Sequence, residues 1–231
     1  MVRGVFFDAG NTVVFPDYTI YVDIAASLGH SVAEDEVVEA EALARGAFDR
    51  AVAESRGENV DGFWPVYYTP FYEHIGLDDG SVARAIELTR EANDRGFGIW
   101  QVPVDGLREV VSDLRGRGLK VGIISNSDGR LDARLSGIGI RDLFEFVIDS
   151  AVVGVSKPSR EIFELALEAS GVAAEETAYV GDYYEVDVVG SRAAGMKPVL
   201  FDPVGAYGDV DCDVMTAFPQ ILELVDRWNA S

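Results

Sequence analysis

Asp8, Ser125, Asn126 and Asp182 each stand where an apolar run stops, Asp187 follows closely, and Lys157 lies in a loop between them. Their types make up a kit for handling phosphate. Carboxylates hold a divalent cation, a lysine neutralises phosphate charge, and a hydroxyl and an amide hydrogen-bond phosphate oxygens. Taken singly, each has a structural reading. Asp8 and Thr12 suit a turn, Lys157 a solvated surface, Ser125-Asn126 a helix cap, and Gly181 a simple change of chain direction. The chemistry exists only if the fold gathers these residues at one place.

The elements that would gather them are legible in the hydrophobic rhythm. Residues 3–8 read as a short buried strand ending in an acid, and residues 9–12 as a tight turn. After Pro103, strands and helices alternate. Strands fall at 119–124, 144–148, 178–180 and 198–201, and helices at 107–115, 161–170, 186–194 and 219–228. That alternation predicts a doubly wound parallel sheet with helices on both faces, whose ligands bind outside the carboxyl ends of the strands. Residues from about 18 to 97 read as helices only, at 18–28, 34–54, 63–75 (with Pro70 inside it) and 81–93. The expected organisation is an α/β core from 1–15 and 100–231, interrupted by a helical unit at 16–99. An insertion of roughly 85 residues is too long for an ordinary connecting loop.

In all four of its motifs, in order, the chain resembles the haloacid dehalogenase-like (HAD) hydrolase superfamily. The motifs are Phe6-Phe7-Asp8-Ala9-Gly10-Asn11-Thr12, Ile123-Ile124-Ser125-Asn126, Lys157-Pro158, and Gly181-Asp182 with Asp187. The downstream Ser191-Arg192-Ala193-Ala194-Gly195-Met196 is similar too. The resemblance implies a Rossmann-like core with an all-helical cap over the active site. It implies a Mg²⁺-dependent phosphatase acting on a small phosphorylated metabolite, with Asp8 as the nucleophile that forms an aspartyl-phosphate. The metal would be held by Asp8, the Gly10 carbonyl, Asp182 and Asp187. Ser125 and Asn126 would bind phosphate, Thr12 would support the turn beside it, and Lys157 would screen the nucleophile from the phosphate.

One departure stands out. Phosphatases of this family usually carry an acid two residues after the nucleophile, and here that residue is Gly10. Glycine still offers its carbonyl to a cation but cannot donate a proton. Losing a general acid typically costs about 10²–10⁴-fold in rate. Asp17, Asp128 and Glu185 flank the motifs, and spacing nominates none of them as a substitute. Dehalogenases of the superfamily attack carbon, need neither this acid nor a metal, and tend to lack the Gly-Asp of the fourth motif. This chain keeps it. Phosphonatases of the family use a cap lysine, and residues 16–99 contain none. A weakly active phosphometabolite-binding member is the third reading that Gly10 leaves open.

The remaining residues read as structure. Phe63, Trp64, Tyr67, Tyr68, Phe71 and Tyr72 recur at helical spacing, as a buried helix face does. His30 and His74 lack metal-ligand spacing. Cys212 sits among Asp209, Asp211 and Asp213, which disfavour a thiolate.

Composition bounds the partners. The chain has 231 residues, 48% of them apolar, and a formal net charge of −21 from 19 basic and 40 acidic side chains. Such a surface repels nucleic acid and anionic lipid. A phosphate site must therefore carry its own local positive charge, and the chain has only three lysines, at 120, 157 and 197. A single cysteine permits no internal disulfide, and neither a signal peptide nor a membrane-length apolar run is visible. The expected location is the cytoplasm.

Overall fold

The structure, a computed structural model, describes residues 1–55 and 64–230. In chain order the elements are β1 (Gly4–Phe7), β2 (Val14–Pro16), α1 (Tyr18–Ser27), α2 (Glu34–Ser55), α3 (Trp64–His74), α4 (Asp79–Asp94) and β3 (Trp100–Pro103). There follow α5 (Leu107–Gly116), β4 (Lys120–Ser125), α6 (Leu131–Gly137), β5 (Phe146–Asp149), α7 (Ser150–Val153), α8 (Arg160–Ser170) and β6 (Thr177–Gly181). A π-helical turn at Tyr184–Val189 leads into α9 (Gly190–Ala193), and β7 (Lys197–Phe201), β8 (Asp213–Met215) and α10 (Gln220–Ala230) complete the chain.

Two compact units result. The first comprises Met1–Phe15, Val102–Pro203 and Val210–Ser231, and the second comprises Pro16–Gln101 with Val204–Asp209. Residues 204–209, read above with the α/β part, thus group with the helices.

The first unit is built on a parallel sheet of order β5-β4-β1-β6-β7-β8. β1 lies in the middle because its four residues are all buried, with apolar side chains on both faces and helices to cover each. Phe6 belongs to a cluster with Ile124, Ile148, Ile162, Phe163 and Tyr179, while Phe7 meets Phe218 at 5.1 Å between ring centroids. The helices supply matching stripes: α5 buries Leu107, Val110, Val111 and Leu114, and α8 buries Ile162, Phe163 and Ala166. Ser159 caps α8 at its start, and Gly171, with φ 68°, ends it in the left-handed conformation.

Register sets the site. Phe7 is aligned with Ile123 on one side and Val180 on the other. Asp8, one residue beyond Phe7, and Ser125 and Asp182, each two residues beyond the aligned positions, therefore emerge together at the carboxyl edge of three adjacent strands.

The second unit has its own core, in which Tyr21, Ile24, Val37, Ala40, Ala44, Tyr68, Phe71, Tyr72 and Val82 are buried. The aromatic stripe is this core at Tyr68, Phe71 and Tyr72, whereas Phe63 lies outside the described residues. A buried Arg45–Glu41 pair at 2.8 Å, to which the Tyr18 hydroxyl donates at 2.8 Å, adds a polar centre. No helix among the described residues is long and apolar enough to cross a membrane.

The strands β2, β3 and β8 and the short helices α6 and α7 were not expected from the sequence. β2 ends at Pro16 and β3 at Pro103, after three and four residues, so neither shows a period. The helix read at 186–194 is a π-helical turn followed by one α-helical turn.

Candidate active site

The strand ends bring Asp8, Lys157, Asp182 and Asp187 together, all at most 6% exposed. Lys157 arrives from the loop between α7 and α8. Its Nζ donates to Asp8 Oδ1 at 2.6 Å, to Asp187 Oδ1 at 2.7 Å and to the Tyr179 hydroxyl at 3.0 Å. Asn126 holds that loop in place. Its Nδ2 donates to the Lys157 carbonyl at 2.9 Å, and its Oδ1 accepts the Lys157 N–H at 2.7 Å. Asn126 was expected to bind phosphate. One of its two amide hydrogens and its carbonyl oxygen are engaged with the lysine's backbone, so in the structure it also fixes Lys157.

Electrostatics follow from burial. The Asp8 carboxyl is pushed up from 3.8 to about 6, chiefly by burial; Lys157 draws it back down and the Asp187 carboxylate pushes it up again. Burial alone would discharge Lys157, but Asp187 and Asp8 outweigh it and raise its pKa above the ordinary value. Three buried carboxylates gathered around one ammonium make the cluster rich in negative charge. One oxygen from each of Asp8, Asp182 and Asp187 lies within 4.8 Å of the others. A hard, all-oxygen donor set with that charge excess fits a divalent cation such as Mg²⁺.

The turn after β1 is tight. Asn11 has φ 52°, and its N–H donates to the Val14 carbonyl at 2.9 Å. The N–H groups of Val13 and Val14 converge on the Ala9 carbonyl at 3.0 and 2.9 Å. These bonds flank Gly10, which forms an isolated bridge with Val14. Thr12 is fully buried and joins the turn through its N–H, 3.4 Å from the Ala9 carbonyl. Ser125 is buried at the end of β4, aligned with Asp149 of β5.

Three residues go beyond the expected set. Tyr179 reads in the sequence as one more strand residue, yet its hydroxyl touches Lys157. Asp149 is buried and accepts from the N–H groups of Gly129, Ala151 and Leu131 at 3.1, 3.0 and 3.2 Å, bracing the loop that follows Ser125-Asn126. Only the pairing of β4 with β5, which sequence does not display, reveals that role. Gly181 is no mere turn. A Cβ there would overlap the Asp187 carboxylate, so the missing side chain is what admits Asp187, and the Tyr183 N–H then holds its Oδ2 at 3.0 Å. Gly181→Ala is expected to displace Asp187 and to cost about 1–3 kcal/mol of stability through overpacking. Calorimetry should show Mg²⁺ affinity at least ~10-fold weaker in this variant.

Two of the flanking acids, Asp17 and Asp128, are engaged elsewhere. Asp17 caps α1 by accepting the Thr19 N–H at 3.1 Å. Asp128 pairs with Arg130 and Arg134 at 2.6 and 2.9 Å. Burial raises its carboxyl, but the two guanidiniums outweigh it and hold the acid below the usual range, which ill suits a proton donor. His74 is exposed, 4.0 Å from Glu39. The Cys212 thiol is pushed up, first by burial and further by Asp211 and Asp213.

A central strand ending in a buried aspartate, flanked by strands ending in serine and aspartate and faced by a lysine, defines a doubly wound α/β hydrolase. The chain belongs to the haloacid dehalogenase-like hydrolase family, whose profile matches residues 2–195. It is 32% identical over 179 residues to the phosphoserine phosphatase of Thermus thermophilus, covering 71% of this chain and 72% of that one. Glyceraldehyde 3-phosphate phosphatase of Pyrococcus furiosus is 35% identical over 136 residues, covering 55% and 56%. Haloacid dehalogenase-like hydrolase domain-containing protein 3 of Homo sapiens is 40% identical over 111 residues, and the match spans only 44% of that relative's length. Among solved structures, the magnesium-bound HAD-hydrolase YfnB of Bacillus subtilis superposes with a TM-score of 0.70 at 17% identity, over 97% of this chain and 99% of that one. L-2-haloacid dehalogenase of Xanthobacter autotrophicus superposes with a TM-score of 0.61 at 19% identity, over 98% and 99%. At these identities the superpositions establish the fold.

Proposed function

We propose that this chain is a magnesium-dependent phosphatase of small phosphorylated metabolites, working through an aspartyl-phosphate on Asp8. The observation that carries the reading is the convergence of three buried carboxylates, two of them paired with one buried lysine. The phosphatase names of the Thermus and Pyrococcus relatives support it.

Each group has a task under this reading. Asp8 attacks phosphorus, and its ionised form is kept available by Lys157, whose ammonium offsets the repulsion between two anions. Asp182, Asp187, Asp8 and the Gly10 carbonyl would hold Mg²⁺. When bound, the cation supplies Lewis-acid neutralisation of phosphoryl charge. Ser125 donates its hydroxyl to a phosphoryl oxygen, and Asn126 keeps Lys157 in reach. Gly10 supplies no proton to the leaving group, so an aryl phosphate, whose leaving group is stable as an anion, is the apt first probe.

The test is phosphate release from p-nitrophenyl phosphate with Mg²⁺ and with EDTA, run beside chloride release from a 2-chloro acid. The expected result is phosphate release that EDTA abolishes. Chloride release indifferent to EDTA would replace the proposal with a dehalogenase, and silence in both assays would favour a binding protein on this fold.

A further inference from the structure

The Lys157 ammonium has three N–H bonds and three acceptors, of which only two are charged. Lysine is a pure donor, so the Tyr179 hydroxyl must accept at this contact, and its own proton must go elsewhere. The Ile124 carbonyl takes it at 2.9 Å, with Asp187 Oδ1 farther off at 3.3 Å. The bond order from Lys157 through Tyr179 to the β4 backbone is thereby fixed.

The ring that carries this hydroxyl is immobilised. Tyr179 is fully buried, lies edge-on to Phe163 with centroids 5.0 Å apart at 90°, and packs in the cluster of Phe6, Ile124 and Ile162. Strand alternation puts Tyr179 and Gly181 on one face of β6. The space a Cβ at Gly181 would fill admits Asp187, so the tyrosine hydroxyl and the Asp187 carboxylate grip the lysine from the same face. A neutral third acceptor holds the ammonium without deepening the excess of negative charge.

We propose that Tyr179 is a positioning residue, whose hydroxyl, anchored on the Ile124 carbonyl, aims the Lys157 ammonium at Asp8 and at the phosphoryl group it receives. The role as a catalytic aid rests on the phosphatase reading above; the geometry it invokes does not.

Tyr179→Phe keeps the ring and removes only the hydroxyl. In the Mg²⁺-loaded protein, kcat for p-nitrophenyl phosphate should fall about 10- to 100-fold, the size expected from misaiming a charged group at the reacting centre, while KM and Mg²⁺ affinity stay nearly unchanged. A second readout needs neither turnover nor metal. Lys120 and Lys197 are exposed and Lys157 is buried. In a ¹⁵N-lysine NMR spectrum, a slowly exchanging ammonium signal should therefore belong to Lys157, and in Tyr179→Phe it should shift and exchange faster. The proposal is overturned if the wild-type spectrum lacks a protected ammonium, if the signal is unmoved by Tyr179→Phe, or if kcat stays within about twofold of wild type or the loss lies wholly in KM. A wild type that releases no phosphate sinks the phosphatase reading instead, and the spectra then still decide whether Tyr179 orients Lys157.

Discussion

Asp8→Asn is expected to lose phosphate release by on the order of 10⁴-fold or more, and yet to melt above the wild type when no metal is present. The loss follows from removing the proposed attacking atom; removal of a covalent nucleophile is among the largest single-residue effects in enzymes. The gain follows from Asp8's environment. Its carboxyl titrates near 6 in the folded chain against an ordinary 3.8, so between those values the folded state binds more protons than the unfolded state. Stability from this group therefore falls as pH rises through that window, and above about 6 the full penalty applies, roughly 3 kcal/mol. Asparagine is neutral at every pH and still offers Lys157 an acceptor. Melting curves in EDTA should show the variant ahead at pH 7.5, with the gap closing toward pH 4. A variant that melts below the wild type at pH 7.5 would mean that the Lys157 pair outweighs the burial cost.

Asp182→Ala is expected to abolish measurable Mg²⁺ binding, with affinity down by more than about 100-fold, since even residues that only orient metal ligands are worth 10–100-fold. Asp182 is 1% exposed and directly follows β6, one of three carboxylates within reach of a common cation. In the wild type, Mg²⁺ at a hundred times its dissociation constant should raise stability by about 2.7 kcal/mol; in the variant that increment should vanish. Wild-type affinity should also weaken as pH falls below about 6, because protons compete for Asp8, and calorimetry in buffers of different ionisation enthalpy would register proton release there. An unchanged magnesium titration in Asp182→Ala would remove this residue from the metal site.

Much of this site was legible in the sequence because its chemistry is tied to strand ends. An apolar run halted by Asp8, Ser125 or Asp182 announces both an element and a polar group at its carboxyl end, and a parallel sheet with β1 central does the rest. What stayed hidden depends on which strand lies beside which, or on one atom of a residue that otherwise looks apolar. Tyr179 packs like any core aromatic and gives no sign that its hydroxyl meets a lysine 22 positions away. Asn126 carries the right groups for phosphate, and only the path of the Lys157 loop shows that its amide also holds that loop's backbone. Gly181 looked like a turn glycine, whereas its value is the space it yields to Asp187. The helical unit was readable from the 3.6-residue recurrence of Val37, Ala40 and Ala44. β2 and β3 were not, since three or four residues ended by proline display no period.

The central claim is that phosphoryl transfer passes through Asp8, and peptide mass spectrometry after rapid acid quench tests it most directly. With Mg²⁺ and p-nitrophenyl phosphate in turnover, the peptide containing Asp8 should carry a phosphoryl mass increment that EDTA and Asp8→Asn both remove. Sustained phosphate release with that peptide unmodified at every quench time, and with Asp8→Asn as active as the wild type, would contradict the account.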